Sequence, residues 1–227
     1  MTRAIILVDI QYDFMEGGAL AVPGANEEFV DRIVGLVKLG TIPNNKPFDV
    51  IVASQDFHPK NHISFASRHD VPPFSKVYVL EYNDEPIMSV LEGKPFHEMG
   101  SYRKVDTWPD HCVQGTKGAA LHRRLNGLGV DIVVQKGYEQ DKEAYSAFDA
   151  TIPSVGKSLE QYLKEFGVTD VYVVGLAYDY CVTSTALDSA KSGFSTVVYH
   201  KYTRSVFPEN DGETTAALMN NGVGVVV

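Results

Sequence analysis

Disulfides, a membrane span and a surplus of positive charge are all missing from this chain. Only two cysteines, Cys112 and Cys181, occur in 227 residues, which excludes a disulfide framework as the source of stability. Lys and Arg number 20 against 29 Asp and Glu, a net charge of −9, so a phosphate backbone is not the expected partner. No apolar run approaches the roughly 18 residues that a membrane span needs. Met1-Thr2-Arg3 leads straight into Ala4-Ile5-Ile6-Leu7-Val8, which is too short for a signal h-region and lacks a cleavage site. The expected setting is therefore cytoplasmic and reducing, with no nucleic acid and no membrane. There is no internal repeat. A chain of this length with 44% hydrophobic residues can bury a full core and is read as one domain over 1–227.

What is present is an alternation of strands and helices. Ala4 to Val8, Phe48 to Ser54, Val130 to Gln135, Asp170 to Gly175 and Ser195 to Tyr199 read as strands, the first as one buried on both faces. Helical patterns follow through Phe29, Ile33, Val34 and Val37, over Ala119 to Leu128, from a cap at Ser154 through Leu159 to Phe166, over Cys181 to Ser192, and over Asn210 to Asn220. Val223 to Val227 closes the chain. The region from about 68 to 106 is an excursion with one short strand at Lys76 to Leu80. The fold class expected is α/β: a three-layer α/β/α domain around a mostly parallel, doubly wound, Rossmann-like sheet.

In such sheets ligands bind at the carboxyl ends of the strands. Those ends carry Asp9, Asp56, Lys136 and Cys181. A cysteine at a helix N-terminus is favoured as the thiolate. A thiolate, a carboxylate that moves its proton and an ammonium that steadies both form a workable set for acyl transfer. The alternative is an inert ion pair between Asp9 and Lys136.

Asp56-Phe57-His58 forms a second constellation, because alternate residues of an extended chain share a face and can aim at one cation. One more imidazole completes an open metal site. Spacing leaves that third ligand open among His62, His69, His97 and His111. An isolated histidine is more often a hydrogen-bonded core or surface residue, the plain reading of His69, His97, His122 and His200. Cys112 reads as a buried structural thiol.

The segments Asp9-Ile10-Gln11-Tyr12-Asp13-Phe14, Asp56-Phe57-His58 with His62, and Trp108 through Thr116 now meet Lys136-Gly137, Tyr145-Ser146-Ala147-Phe148 and Gly175 through Val182. In that order they resemble the cysteine hydrolases of the isochorismatase-like group, and among them most closely the nicotinamidases. The resemblance covers the chain from the first strand to its end. It implies a catalytic triad of Asp9, Lys136 and Cys181, and one divalent metal held by Asp56, His58 and His111, with His62 and Ser64 close to that shell. Zinc is the first expectation for the metal, with iron or manganese as alternatives. The resemblance also implies a cis peptide before Ala177 and an oxyanion hole from the Ala177 and Cys181 backbone N–H groups. Phe14, Leu20, Trp108, Tyr145, Ala177 and Tyr180 match substrate-binding positions.

The implied reaction is hydrolysis of nicotinamide to nicotinate and ammonia through a thioester, in NAD salvage, with pyrazinamide-like amides as further small-molecule substrates. Another amidohydrolase of the same family is the alternative. From a different class, a phosphoacceptor signalling domain also uses acidic residues and a lysine at strand ends, but it leaves Cys181, His58, His111 and Trp108 without a role. Assembly as a homo-oligomer is compatible with the sequence.

Overall fold

The computed structural model describes residues 1–39, 48–82, 85–88 and 102–227. The elements in chain order are β1 (Thr2–Val8), α1 (Glu27–Leu39), β2 (Val50–Asp56), α2 (Ala66–His69), β3 (Lys76–Tyr82), β4 (Glu85–Met88) and β5 (Tyr102–Asp106). They continue with β6 (Ile132–Lys136), α3 (Leu159–Glu165), β7 (Val168–Leu176), α4 (Thr183–Lys191), β8 (Ser195–Arg204), α5 (Asp211–Asn220) and β9 (Gly224–Val226).

Six strands form one sheet in the order β6-β2-β1-β7-β8-β9, and every neighbouring pair is parallel. Side chains of a strand alternate between faces, and β1 divides its residues accordingly. Ile5 and Leu7 join the cluster of Phe29, Ile33 and Val37 from α1. Ala4, Ile6 and Val8 join Leu159 and Leu163 of α3, Ala186 of α4 and Leu218 of α5. Full burial of such a side chain contributes about 1.5–3 kcal/mol, and it is this two-sided burial that makes β1 apolar at both parities. The winding leaves β1 through β2 to β6, then returns to β7 on the opposite side of β1. Asp9 and Cys181 therefore flank the switch point.

Close approach at that point needs a glycine. Gly175 of β7 has φ +117°, and a Cβ there would stand 2.1 Å from the Val8 carbonyl oxygen.

Two expected elements differ. The segment from Ala119 to Leu128 is not a helix beyond a short 3₁₀ turn at Arg123–Leu125. Its backbone is engaged elsewhere: the Ala119 carbonyl accepts Gln11 and Gln55 side-chain amides, Ala120 accepts the Tyr12 N–H, and His122 N–H donates to Ile10. The helix after β6 is capped by Ser158, not Ser154, because Ser158 and Gln161 form a reciprocal capping box. In the excursion, β3 pairs antiparallel with β4 and β5 in a separate small sheet. His97 lies outside the described residues.

Candidate active site

Parallel register sets the centre. Asp56 and Lys136 are directly paired neighbours on β2 and β6. The fully buried Lys136 ammonium donates to Asp56 Oδ1 and to Cys181 Sγ, the latter at 3.3 Å. Its Nζ also lies 2.9 Å from Asp9 Oδ2, an ion-pair contact poorly directed for a hydrogen bond. Asp9 has φ +50° just past β1, and its other oxygen accepts from Ser54 Oγ at 2.7 Å. The four strand-end residues thus meet around one ammonium.

Burial pushes the Cys181 thiol well above its ordinary value, opposed by Lys136 and reinforced by the Asp9 and Asp56 charges. Burial also raises Asp9, against the pull of Lys136. For Lys136 burial acts downward, but Asp56 and Asp9 overcome it and hold the ammonium charged well above the usual lysine range. The helix terminus expected to favour the Cys181 thiolate is thus opposed by burial. Cys181 sits inside a π-helical turn, Tyr178–Val182, ahead of α4, where desolvation outweighs a dipole. Asp9 and Cys181 both face the Lys136 ammonium, so a proton passing between them stays beside one fixed cation.

Beside this centre, one ligand atom each of Asp56, His58 and His111 lies within 4.8 Å of the others. His58 Nε2 is 3.5 Å and His111 Nε2 3.7 Å from Asp56 Oδ2. Each imidazole donates its Nδ1–H to a backbone carbonyl: His58 to Gly137 at 2.9 Å and His111 to Pro109 at 2.7 Å. That fixes both rings with the Nε2 lone pair facing the carboxylate, the arrangement that metal-ligating histidines require. Burial acts upward on Asp56, yet Lys136 and then His58 hold it well below the usual carboxylate range, ready as an anionic ligand. The residues present fit a divalent cation.

His62 is differently engaged. It stacks on His58 at 4.1 Å between centroids, accepts from Ser64 Oγ at 2.7 Å and donates to the Lys142 carbonyl at 3.0 Å. Burial, then His58, push its pKa down to about 3. His69, His122 and His200 each have a partner elsewhere, in the Ile63 carbonyl, Glu27 and Asp211. Among the described histidines, His111 is the one whose ring nitrogen is grouped with ligand atoms of both Asp56 and His58.

A cleft opens onto both centres, lined by Phe14, Leu20, Trp108, Tyr145, Ala177 and Tyr180 together with Cys181, Asp56, His58 and His111. Trp108 meets Tyr180 edge-on at 4.8 Å and donates to the Tyr145 hydroxyl at 3.3 Å. The Leu176–Ala177 peptide is cis.

Sequence reasoning missed several members. Glu143 and Val206 also line the cleft, and no periodicity or motif marks them. Ser54 was legible, because it shares the face of Asp56 two residues earlier on β2. Gln11 pairs its side-chain amide with the main chain of Asp56, at 2.8 and 2.9 Å. Asp13 accepts the Cys112 N–H at 2.7 Å, beside His111. Asp13 is thus committed to the backbone that carries His111.

The isochorismatase domain profile matches residues 3–227. The chain belongs to the isochorismatase family. Within that family it is 39% identical to the nicotinamidase of Acinetobacter baylyi over 197 residues, 86% of this chain and 78% of the relative. The structure of the yeast nicotinamidase bound to the inhibitor nicotinaldehyde superposes with a TM-score of 0.81 at 29% identity, over 99% of each chain. The pyrazinamidase of Pyrococcus horikoshii in complex with zinc gives a TM-score of 0.71 at 31% identity, over 100% of this chain and 99% of that one. This isochorismatase-family chain has the single parallel sheet of those relatives, and among its described residues no helix is long and apolar enough to cross a membrane.

Proposed function

We propose that this isochorismatase-family hydrolase is a nicotinamidase that converts nicotinamide to nicotinate and ammonia through a thioester on Cys181. The observation that carries the reading is the meeting of Asp9, Lys136 and Cys181 at one wall of an aromatic cleft whose other wall holds Asp56, His58 and His111. The nicotinamidase relatives at up to 39% identity support the substrate.

Asp9 accepts the Cys181 proton, and the sulfur forms a bond to the carboxamide carbon. Backbone N–H groups of Ala177 and Cys181 receive the resulting oxyanion. Asp9 returns its proton to the amine, the C–N bond breaks, and ammonia leaves a nicotinoyl thioester. Asp9 then deprotonates a water, whose oxygen attacks the thioester carbon. The C–S bond breaks, the acid product leaves as nicotinate, and the thiol is restored. Throughout, Lys136 remains charged and steadies whichever partner carries the negative charge.

In this reading Asp56, His58 and His111 would hold a divalent cation, zinc first with iron or manganese as alternatives, which would supply an electron-pair acceptor for the pyridine nitrogen. Phe14, Leu20, Trp108, Tyr145 and Tyr180 enclose the flat ring, and a pyrazinamide-like amide presents the same faces. His62 and Ser64 orient His58 from behind. The −9 charge and two unpaired thiols support a small-molecule enzyme of the cytoplasm, placed in NAD salvage by its product.

The test is ammonia release from nicotinamide by wild type, Cys181→Ala and a chelated sample. Loss in both altered samples is expected, and an inactive metal-loaded wild type would sink the assignment.

A further inference from the structure

The chain segments that leave β7 and β8 run on side by side. The two strands are parallel, and their last register pairs are Gly175 with Thr203 and Leu176 with Arg204. Just past β7 stands Asp179, in the turn that carries Cys181, and just past β8 stand Val206 and Phe207. Both carboxylate oxygens of Asp179 serve the second segment. Oδ1 accepts the Val206 N–H at 3.0 Å, and Oδ2 accepts the Phe207 N–H at 2.8 Å. Val206 lines the cleft together with Tyr180 and Cys181, and the Phe207 ring meets that of Tyr180 at 6.4 Å between centroids. One carboxylate, two residues before the cysteine, therefore grips a wall of the cleft by its main chain. The turn itself has other supports. The Tyr180 and Val182 N–H groups donate to the Ala177 carbonyl at 3.1 and 3.0 Å, the Tyr178 hydroxyl lies 2.7 Å from Thr215 Oγ1, and Cys181 Sγ accepts from Lys136. For the Val206 and Phe207 N–H groups, Asp179 is the acceptor found among the described residues.

We infer that Asp179 is a positioning residue that ties the Val206–Phe207 wall to the cysteine turn, so that the cleft is already shaped when a flat ring enters. This rests on the nicotinamidase reading and deepens it. Hydrogen bonds to a charged acceptor are stronger than neutral ones, and two from consecutive N–H groups fix both the position and the direction of the segment. Without the carboxylate, the entering ring has to order that wall itself, and the ordering is subtracted from its affinity. The acyl-transfer centre keeps its own contacts around Lys136. The loss therefore falls on binding and not on the chemical step, because the wall touches the ring equally before and during reaction.

Asp179→Ala removes both acceptors, and the nearly isosteric Asp179→Asn keeps one, which provides a folded variant should the alanine form fail to fold. In metal-loaded enzyme, KM for nicotinamide is expected to rise about tenfold in Asp179→Ala and by less in Asp179→Asn, with kcat within about threefold of wild type. Trp108 is the sole tryptophan of the chain and lines the cleft, so its fluorescence should report the same weakening when nicotinamide is titrated into Cys181→Ala with and without Asp179→Ala. A merely structural role predicts something else, a general loosening that lets iodoacetamide reach the buried Cys112. The positioning role predicts alkylation confined to Cys181 at the wild-type rate. An unchanged KM overturns the inference, as does a fall in kcat at constant KM or a reactive Cys112 in both variants. A wild type that neither binds nor turns over nicotinamide fails the nicotinamidase reading alone. Amide hydrogen exchange then decides the clamp: the Val206 and Phe207 N–H groups should lose protection in the variants, and retained protection overturns it.

Discussion

Gly137 offers its carbonyl to His58 Nδ1 at 2.9 Å, and a Cβ built on Gly137 would stand 2.4 Å from His58 Cε1. The residue before it, Lys136, serves the cysteine centre, so one dipeptide at the end of β6 supports both halves of the site. With φ +61°, position 137 also holds a backbone conformation that a side chain disfavours. Gly137→Ala is expected to displace the His58 ring and weaken metal affinity by about 10–100-fold. Competition with a chromogenic chelator measures it, and undiminished affinity in a folded variant would contradict the geometry.

The two thiols should separate cleanly. Cys181→Ala is expected to lower ammonia release by about 10³-fold or more. Cys112, buried with its Sγ 3.9 Å from the Gly118 carbonyl, should tolerate Ala with activity within a few-fold. Steady-state rates on both variants decide it. Substantial turnover by Cys181→Ala would point to water as the nucleophile.

Lys136 neutralises two buried carboxylates at once. Lys136→Met is expected to destabilise the fold by about 3–5 kcal/mol, because removing one partner leaves buried charge uncompensated. Asp9→Asn, which keeps shape and loses charge, should cost less stability while abolishing turnover. Urea denaturation of the two variants compares them, and a Lys136→Met protein as stable as wild type would refute the central role of the ammonium.

A cation bound to the native state alone raises stability by mass action. Adding zinc to chelator-treated protein should raise its melting temperature, and Asp56→Ala should remove most of that rise. An equal rise in the variant would place the ion elsewhere.

His69 provides a pH dependence away from the centre. Burial lowers its pKa, opposed by its hydrogen bond to the Ile63 carbonyl, so it is protonated more readily in the unfolded chain. Its stabilising contribution is present above the ordinary imidazole range near pH 6.5 and declines as the pH falls from there toward the lowered folded value. Thermal melts from pH 7 to pH 5 should show wild type losing more stability than His69→Gln. Parallel curves would show that His69 contributes nothing to the slope.

Much of this was legible in the residues themselves. Two-sided burial makes β1 and β7 continuous apolar runs, so strands and their ends could be counted, and Asp9, Asp56, Lys136 and Cys181 follow from that count. The helix expected over Ala119 to Leu128 failed for a reason local pattern does not contain: its carbonyls are taken by Gln11, Gln55 and Tyr12 from distant positions. Likewise, only the folded chain brings His111, with Nδ1 bound to a carbonyl, to face Asp56 with its Nε2, which favours it among the candidate ligands. Glu143 had no sequence signature at all, because only the folded chain places it at the cleft.

By itself the sequence determined the sheet, its winding and the set of reactive side chains, since periodicity and strand-end position are properties of short stretches of chain. Only the tertiary structure decided how those side chains are charged. Burial raises the Cys181 thiol against the pull of Lys136, and the same ammonium lowers Asp56 against burial, and both effects depend on distances between residues far apart in the chain.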